Sequence, residues 1–269
     1  MKNFIKKIFP DRLVLKDDFY ETTGDLYDRM FASFKSDDFS FYYEYAKRIR
    51  GNILDLASGT GRLGMFFSKK GFNVTALEIS PTMVKIFRKK YLRSKQKDDG
   101  EINIVRGDIS DFHFKNKFNY VIMGYNSFNH LLTEEKQIEC LKCINKCMET
   151  DGTLAFEILP VIKNIPGGKK LRYEREFKDI GKKIVVYSKI KQDIPGFHKI
   201  WWFFEENDKS GIKKKNVSSF IRAEIEVRDM VKMLLLTGFR TAGVYHDYNK
   251  AQKIGDKRLI VATKVFDVF

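Results

Sequence analysis

NILDLASGTGRLG, residues 52 to 64, is the stretch whose reading decides the fold. An apolar run reaches Asp55 and then opens into Gly59, Gly61 and Gly64, after which Met65, Phe66 and Phe67 begin a helical pattern. Glycine tolerates positive φ and lets a backbone approach a ligand closely, so a strand that turns into a helix through Gly59 and Gly61 suits a nucleotide-like guest. The carboxylate of Asp55 stands where the pyrophosphate of a dinucleotide would need positive potential, which favours a guest carrying positive charge. G-x-G-x-x-G alone leaves three readings open: a cationic nucleoside cofactor, a nicotinamide dinucleotide, and a glycine turn with no ligand.

Outward from this turn, short apolar runs alternate with longer periodic ones from about residue 51 to 158, the pattern of βαβ units and a parallel sheet. Residues 52–57, 72–79, 102–108, 118–124 and 152–159 read as five strands. Ser80 followed by Pro81 caps one helix, and Thr133-Glu134-Glu135 opens another that runs to Met148. Residues 224–237 read as an amphipathic helix stopped by Gly238, and 239–246 with 258–265 as a closing strand pair joined through a loop holding Gly255. The expected fold is α/β and Rossmann-like: a seven-stranded, mostly parallel sheet with helices on both faces.

Between strand 5 and the last helix the character changes. KKIVVYSKIK, HKIWWFFEE and NVSSFIRA read as short strands separated by turn residues, a β-rich insertion. At a period of two, Trp201 and Phe203 face one way and Trp202 and Phe204 the other, so one pair is expected to pack on the rest of the molecule. Residues 161–220 hold 15 Lys or Arg against 7 Asp or Glu, about half of the chain's formal charge of +15.

At 269 residues and 43% apolar content the chain buries a full core. No apolar run reaches the roughly 20 residues of a membrane span, and MKNFIKKIFPDRL lacks a signal-length apolar segment; a cytoplasmic protein without a membrane partner is expected. Cys140, Cys143 and Cys147 recur at helical spacing and read as core, with no metal site and no disulfide scaffold.

Asp55-x-Ala57-x-Gly59-x-Gly61 resembles the glycine-rich motif I of class I S-adenosylmethionine (SAM) dependent methyltransferases of the small-molecule type. SAM carries a sulfonium and an ammonium, in keeping with Asp55. The resemblance implies SAM as cofactor, held by Asp55, Ala57, Ser58, Gly59, Thr60 and Gly61. Glu78, closing strand 2, would accept from the ribose hydroxyls. Gly107-Asp108-Ile109 matches the adenine segment: Asp108 would accept from the exocyclic amine, while Ile109 and Met83, with Ile79, would sandwich the ring. The segment from Gly124 to Leu131, GYNSFNHL, is similar to the one after strand 4 in glycine N-methyltransferases. Carried over, Asn126 would orient the acceptor, and His130 would contact the methionyl end or the acceptor and serve as base if one is needed. Tyr27, in an element resembling the Tyr-Asp of relatives, would reach the methionyl carboxylate or pack on strand 4.

Residues 1–50 are thus expected as a helical cap, 51–160 with 224–269 as the SAM-binding domain, and 161–223 as an insertion that roofs an acceptor pocket or forms a homodimer contact. The expected reaction is methyl transfer to nitrogen or oxygen of a small molecule. An RNA acceptor held by the basic insertion is the alternative, and an NAD-binding protein the more distant one. There is no Pro-Pro signature of base exocyclic-amine methylation and no Pro-Cys nucleophile.

Overall fold

The computed structural model describes residues 19–31, 38–49, 51–159, 172–179, 182–207, 213–248 and 258–268. Parts of the expected cap (1–18 and 32–37), the start of the insertion (161–171) and the Gly255 loop lie outside the described residues.

The glycine-rich turn sits at the centre of the molecule. Strand β1 (Ile53–Leu56) is flanked by β2 (Val74–Glu78) and β4 (Phe118–Met123), both parallel to it. With β3 (Ile102–Arg106), β5 (Met148–Ile158), β10 (Phe239–Tyr245) and β11 (Arg258–Lys264), the sheet runs β10-β11-β5-β4-β1-β2-β3. β11 alone runs antiparallel to its neighbours. The seven-stranded, mostly parallel sheet read from the sequence is therefore present.

Strand alternation assigns each residue to a layer. Leu54, Leu56, Val121 and Leu154 pack with α5 (Glu134–Cys147) and α6 (Val227–Leu236). Ile53, Ala76, Ile122 and Ala155 face the other way, among side chains of α2 (Asp38–Ala46), α3 (Arg62–Ser68) and α4 (Pro81–Ser94). Cys140 and Cys147 are buried in the first layer, as core, and no cluster of metal-ligating side chains occurs among the described residues. None of the described helices is long and apolar enough to cross a membrane.

The insertion folds as a second, antiparallel sheet of four strands, β6 (Arg172–Asp179), β7 (Lys182–Ile194), β8 (Phe197–Asn207) and β9 (Lys213–Ala223), paired in that order. Its inner face, with Ile184, Val186, Ile200, Phe204 and Phe220, buries against Phe19 and Met30 of α1 (Phe19–Phe31). Trp202 joins that face, its ring centroid 6.1 Å from that of Phe19. The aromatic quartet thus splits by period two, and the inward pair meets α1 rather than the central sheet. Strand β6, RYEREFKD, was not expected, because six of its eight residues are charged and no apolar alternation announces it.

Helix α1 is tied down at both ends. Ser80 Oγ donates to Glu21 Oε1 at 2.6 Å, and Thr82 Oγ1 also donates to Glu21. Two turns on, Asp28 accepts from Thr60 Oγ1 and, at 2.7 Å, from Lys90 Nζ. The helix is thereby held across the carboxyl ends of β1 and β2.

Candidate functional site

Ala57, Gly59 and Gly61 all take positive φ, at 51°, 57° and 85°. The turn is fastened from within: Ser58 N donates to Leu77 O at 3.0 Å and Gly61 N to Ser58 O at 2.9 Å. The two central glycines do different work. A Cβ on Gly61 would lie 2.1 Å from the Phe87 ring, so this glycine exists for packing; a Cβ on Gly59 would meet nothing within 4 Å. Gly59 therefore presents bare backbone to open space.

Two carboxylates frame the turn. Asp55, 1% exposed, accepts from Gly64 N at 3.0 Å. Burial pushes its carboxyl up to about 7, against the opposing influence of Arg62 and that N–H, while nearby Glu78 adds to the rise. Glu78 accepts from Gly59 N at 2.7 Å through one oxygen and from Ser80 N at 2.9 Å through the other. Burial raises its pKa too, countered by backbone N–H groups of Ser80, Gly59 and Ile79. An ionised carboxylate has about four acceptor positions, so Glu78 keeps acceptor capacity for a ligand.

A cleft of about 500 Å³ opens over Gly59 and Glu78, beneath α1. Ile79, Asp108, Ile109, Tyr27 and His130 line it. A side hollow of about 40 Å³ leads from it, bounded by Asp55, Ser58, Thr60 and Gly124. Ala57, Gly59 and Tyr27 border both. Asp108 Oδ1 accepts from Ser110 N at 2.8 Å and Ser110 Oγ at 2.9 Å, which fixes its carboxylate at the cleft wall.

Several expected residues fall elsewhere. Met83 is fully buried and lines neither space, its backbone N–H donating to the Ser80 cap of α4, while Ile79 and Ile109 both line the cleft. Gly107 serves the wall through backbone alone, its N–H donating to Glu78 O at 3.0 Å. Thr60 directs its hydroxyl to Asp28. Asn126 lies outside the lining, buried at φ 57° with Oδ1 unpartnered.

His130 does reach the cleft, with Nε2 3.0 Å from Tyr20 Oη. Burial, with a smaller push from Arg222, takes its pKa down to about 3, so the ring is neutral at any ordinary pH. Reasoning from sequence missed its neighbour Asn129. That residue is fully buried and bonds in three directions: Nδ2 donates to Ala223 O at 2.8 Å and Leu159 O at 3.1 Å, and Oδ1 accepts from Leu159 N at 2.9 Å. It pins the segment after β4 to β9 of the roof and to the end of β5. Glu157 was missed as well; it accepts from Tyr42 Oη and from Tyr125 N, both at 3.2 Å, under the Arg62 end of the turn. Partners so distant in sequence leave no local signal.

Residues 53–152, which carry the turn, both framing carboxylates and the segment after β4, match the family model described as a methyltransferase domain. That segment of the chain is similar to a methyltransferase domain. Among curated proteins the chain is similar to the putative methyltransferase YqeM of Bacillus subtilis (strain 168), 27% identical over 140 residues, which are 52% of this chain and 55% of that one. The chain spans about half the length of the curated relatives it matches. Among solved structures, a SAM-dependent methyltransferase from Clostridium acetobutylicum superposes with TM-score 0.74 at 17% identity, covering 92% of this chain and 99% of that one. SAM-bound CalS10, an amino pentose methyltransferase from Micromonospora echinaspora, gives 0.72 at 17% over 89% and 97%. The sugar N-methyltransferase KedS8 from Streptoalloteichus gives 0.74 at 15% over 90% and 92%. At these identities the likeness is one of fold.

Proposed function

We propose that this chain transfers a methyl group from SAM to a nucleophilic nitrogen or oxygen of a small molecule. The observation that carries the reading is Glu78: its carboxylate is pinned by two backbone N–H groups with acceptor capacity left over, beside the uncovered backbone of Gly59. That arrangement fits a ribose diol lying against the turn. Asp108, Ile79 and Ile109 stand where an adenine would follow, and the hollow by Asp55 fits the cationic methionyl end.

SAM supplies a methyl carbon made electrophilic by the sulfonium. When bound, SAM would offer that carbon to the acceptor lone pair, the carbon–sulfur electron pair passing to sulfur to leave S-adenosylhomocysteine and the acceptor's proton passing to water. What the chain adds is alignment, by binding both partners between the glycine turn and the roof, an effect worth about 7 to 11 kcal/mol when geometry is good. His130, neutral and hydrogen-bonded to Tyr20, suits the orienting of an acceptor better than the removal of a proton from an ammonium. The solved structures described above include enzymes named for amino sugar and sugar N-methylation, which supports a small acceptor. The RNA alternative loses half of its aromatic platform, since Trp202 and Phe204 face α1.

Calorimetry tests the reading. SAM and S-adenosylhomocysteine are expected to bind and NAD not to. Glu78→Ala should weaken SAM by about 10- to 100-fold, the size of hydrogen bonds to a charged group. NAD binding that equals SAM binding, or an unchanged affinity in the variant, would overturn it.

A further inference from the structure

The inserted sheet holds a largely buried cation that no described acid neutralises. Along β9, Ser218, Phe220 and Arg222 share the face turned to α1. Phe220 touches the cleft wall directly, its ring centroid 5.1 Å from that of His130 and 6.5 Å from that of Tyr20. Arg222 comes next, with Cζ 5.5 Å from the Phe220 centroid and Nε buried without a hydrogen-bond partner. No described acid pairs with its guanidinium. Glu224, two residues on, is turned to His198, whose Nε2 lies 2.8 Å from Glu224 Oε1.

The contrast with Arg62 is direct. That arginine, also largely buried, is matched by Asp38 through two hydrogen bonds and stacks on Tyr125 at 4.2 Å. Burial pulls the Arg222 guanidinium down to about 10, and its charge is felt by both Tyr20 and His130, which line the cleft. A largely buried guanidinium whose Nε has no partner, and which no described acid faces, is suited to an incoming anion. Arginine's planar fork is also the side chain best shaped for carboxylate or phosphate.

Resting on the methyltransferase reading, we propose that the acceptor is anionic, and that Arg222, which stands beside Phe220 behind the Tyr20 and His130 wall and not in the cleft lining itself, receives its carboxylate or phosphate. The roof sheet then selects the acceptor by charge as well as shape.

The test uses the full chain saturated with S-adenosylhomocysteine, so that cofactor binding is scored first; if the unaltered chain fails to bind it, the methyltransferase reading falls and not merely this one. Benzoate, phenyl phosphate and benzamide, which share a ring and differ in charge, are then titrated by calorimetry. The expected result is that benzoate or phenyl phosphate binds at least tenfold more tightly than benzamide, whichever of the two is tighter naming the anion. In Arg222→Gln the preference should vanish, with S-adenosylhomocysteine affinity held within twofold and a melting temperature equal to or above that of the unaltered chain. Arg222→Lys should keep part of the preference. Benzamide binding as well as the anions, an anion preference that survives Arg222→Gln, or a melting temperature several degrees lower in both variants would overturn the proposal, the last because it would reveal a structural partner for the guanidinium.

Discussion

The two ends of the cleft are built on opposite plans. At the glycine-turn end each charged group already has a partner in the chain: Asp55 has Gly64 N–H, Glu78 has Gly59 and Ser80 N–H, and Asp108 has Ser110. At the end bordered by Tyr20 and His130, His130 is neutral, Phe220 of the inserted sheet packs behind the wall, and Arg222 beside it has no described counter-charge. Groups fixed in advance suit a ligand that is always the same, because little ordering is left to pay for on binding. A less fully satisfied neighbourhood beside an inserted sheet suits a ligand that complements it. On the proposed reading, the fixed end would take the methyl donor and the end toward the inserted sheet the acceptor.

The hardest blow to this division comes from the paired glycines. Gly59→Arg places a long side chain into the space above the turn, where nothing stands within 4 Å of the new Cβ. The chain should fold, with a penalty of about 1 to 3 kcal/mol for an L-residue at φ 57°, while SAM binding falls beyond detection in calorimetry. Gly61→Ala should do the reverse damage. Its Cβ would lie 2.1 Å from the Phe87 ring, so the helix must move, and overpacking of this sort costs about 1 to 3 kcal/mol in urea denaturation on top of the backbone strain. Tight SAM binding by a folded Gly59→Arg protein would place the donor elsewhere and end the comparison.

How much of this was legible in the sequence differs between the same two ends. The central strands were legible because apolar runs of strand length alternate with capped helices; Ser80 and Thr133 cap α4 and α5 by accepting from Met83 N and Lys136 N, respectively. Errors arose where a side chain serves a distant partner. Glu224 was read as the first residue of a helix, but it is occupied by His198, and α6 starts at Val227. Met83 was read as a ring contact from its place after Glu78, yet it is fully buried, its backbone N–H donating to the Ser80 cap. Arg222 and Asn129 carry no local pattern at all, since their significance lies in groups that β9 and the end of β5 bring up from tens of residues away. β6 was hidden by its charges.

A subtler fracture line runs through Asp55. Its carboxyl is raised from 3.8 to about 7 by burial, so the folded chain holds a proton that the unfolded chain has released between those values. Stability due to this group is therefore greatest at acid pH, falls with rising pH by up to about 1.4 kcal/mol per unit through that window, and is level above it. Asp55→Asn, whose amide oxygen can still accept from Gly64 N–H, should remove the slope: the difference between the two proteins in urea denaturation grows from pH 5 to pH 7 in favour of the variant. SAM affinity should move the other way, rising from pH 6 to pH 8 in the unaltered chain as the carboxylate ionises beside a cation, and staying flat in the variant. A flat profile in both proteins would mean that Asp55 shapes the turn without sensing the donor's charge.

The smallest expected effect sharpens the border between the ends. Tyr20 stands on it, donating or accepting at His130 Nε2 while its ring packs on Phe19 and Phe220. Tyr20→Phe keeps the ring contacts and removes one hydrogen bond, worth about 0.5 to 1.5 kcal/mol. If the border lies between Tyr20 and the glycine turn, the loss should appear only on the acceptor side: S-adenosylhomocysteine affinity unchanged, and kcat/KM for an accepted methyl acceptor down about two- to tenfold through a freer His130 ring. An equal loss in S-adenosylhomocysteine affinity would put Tyr20 on the donor's side and move the border to Phe220. The roof's share of the site would then begin with β9 alone.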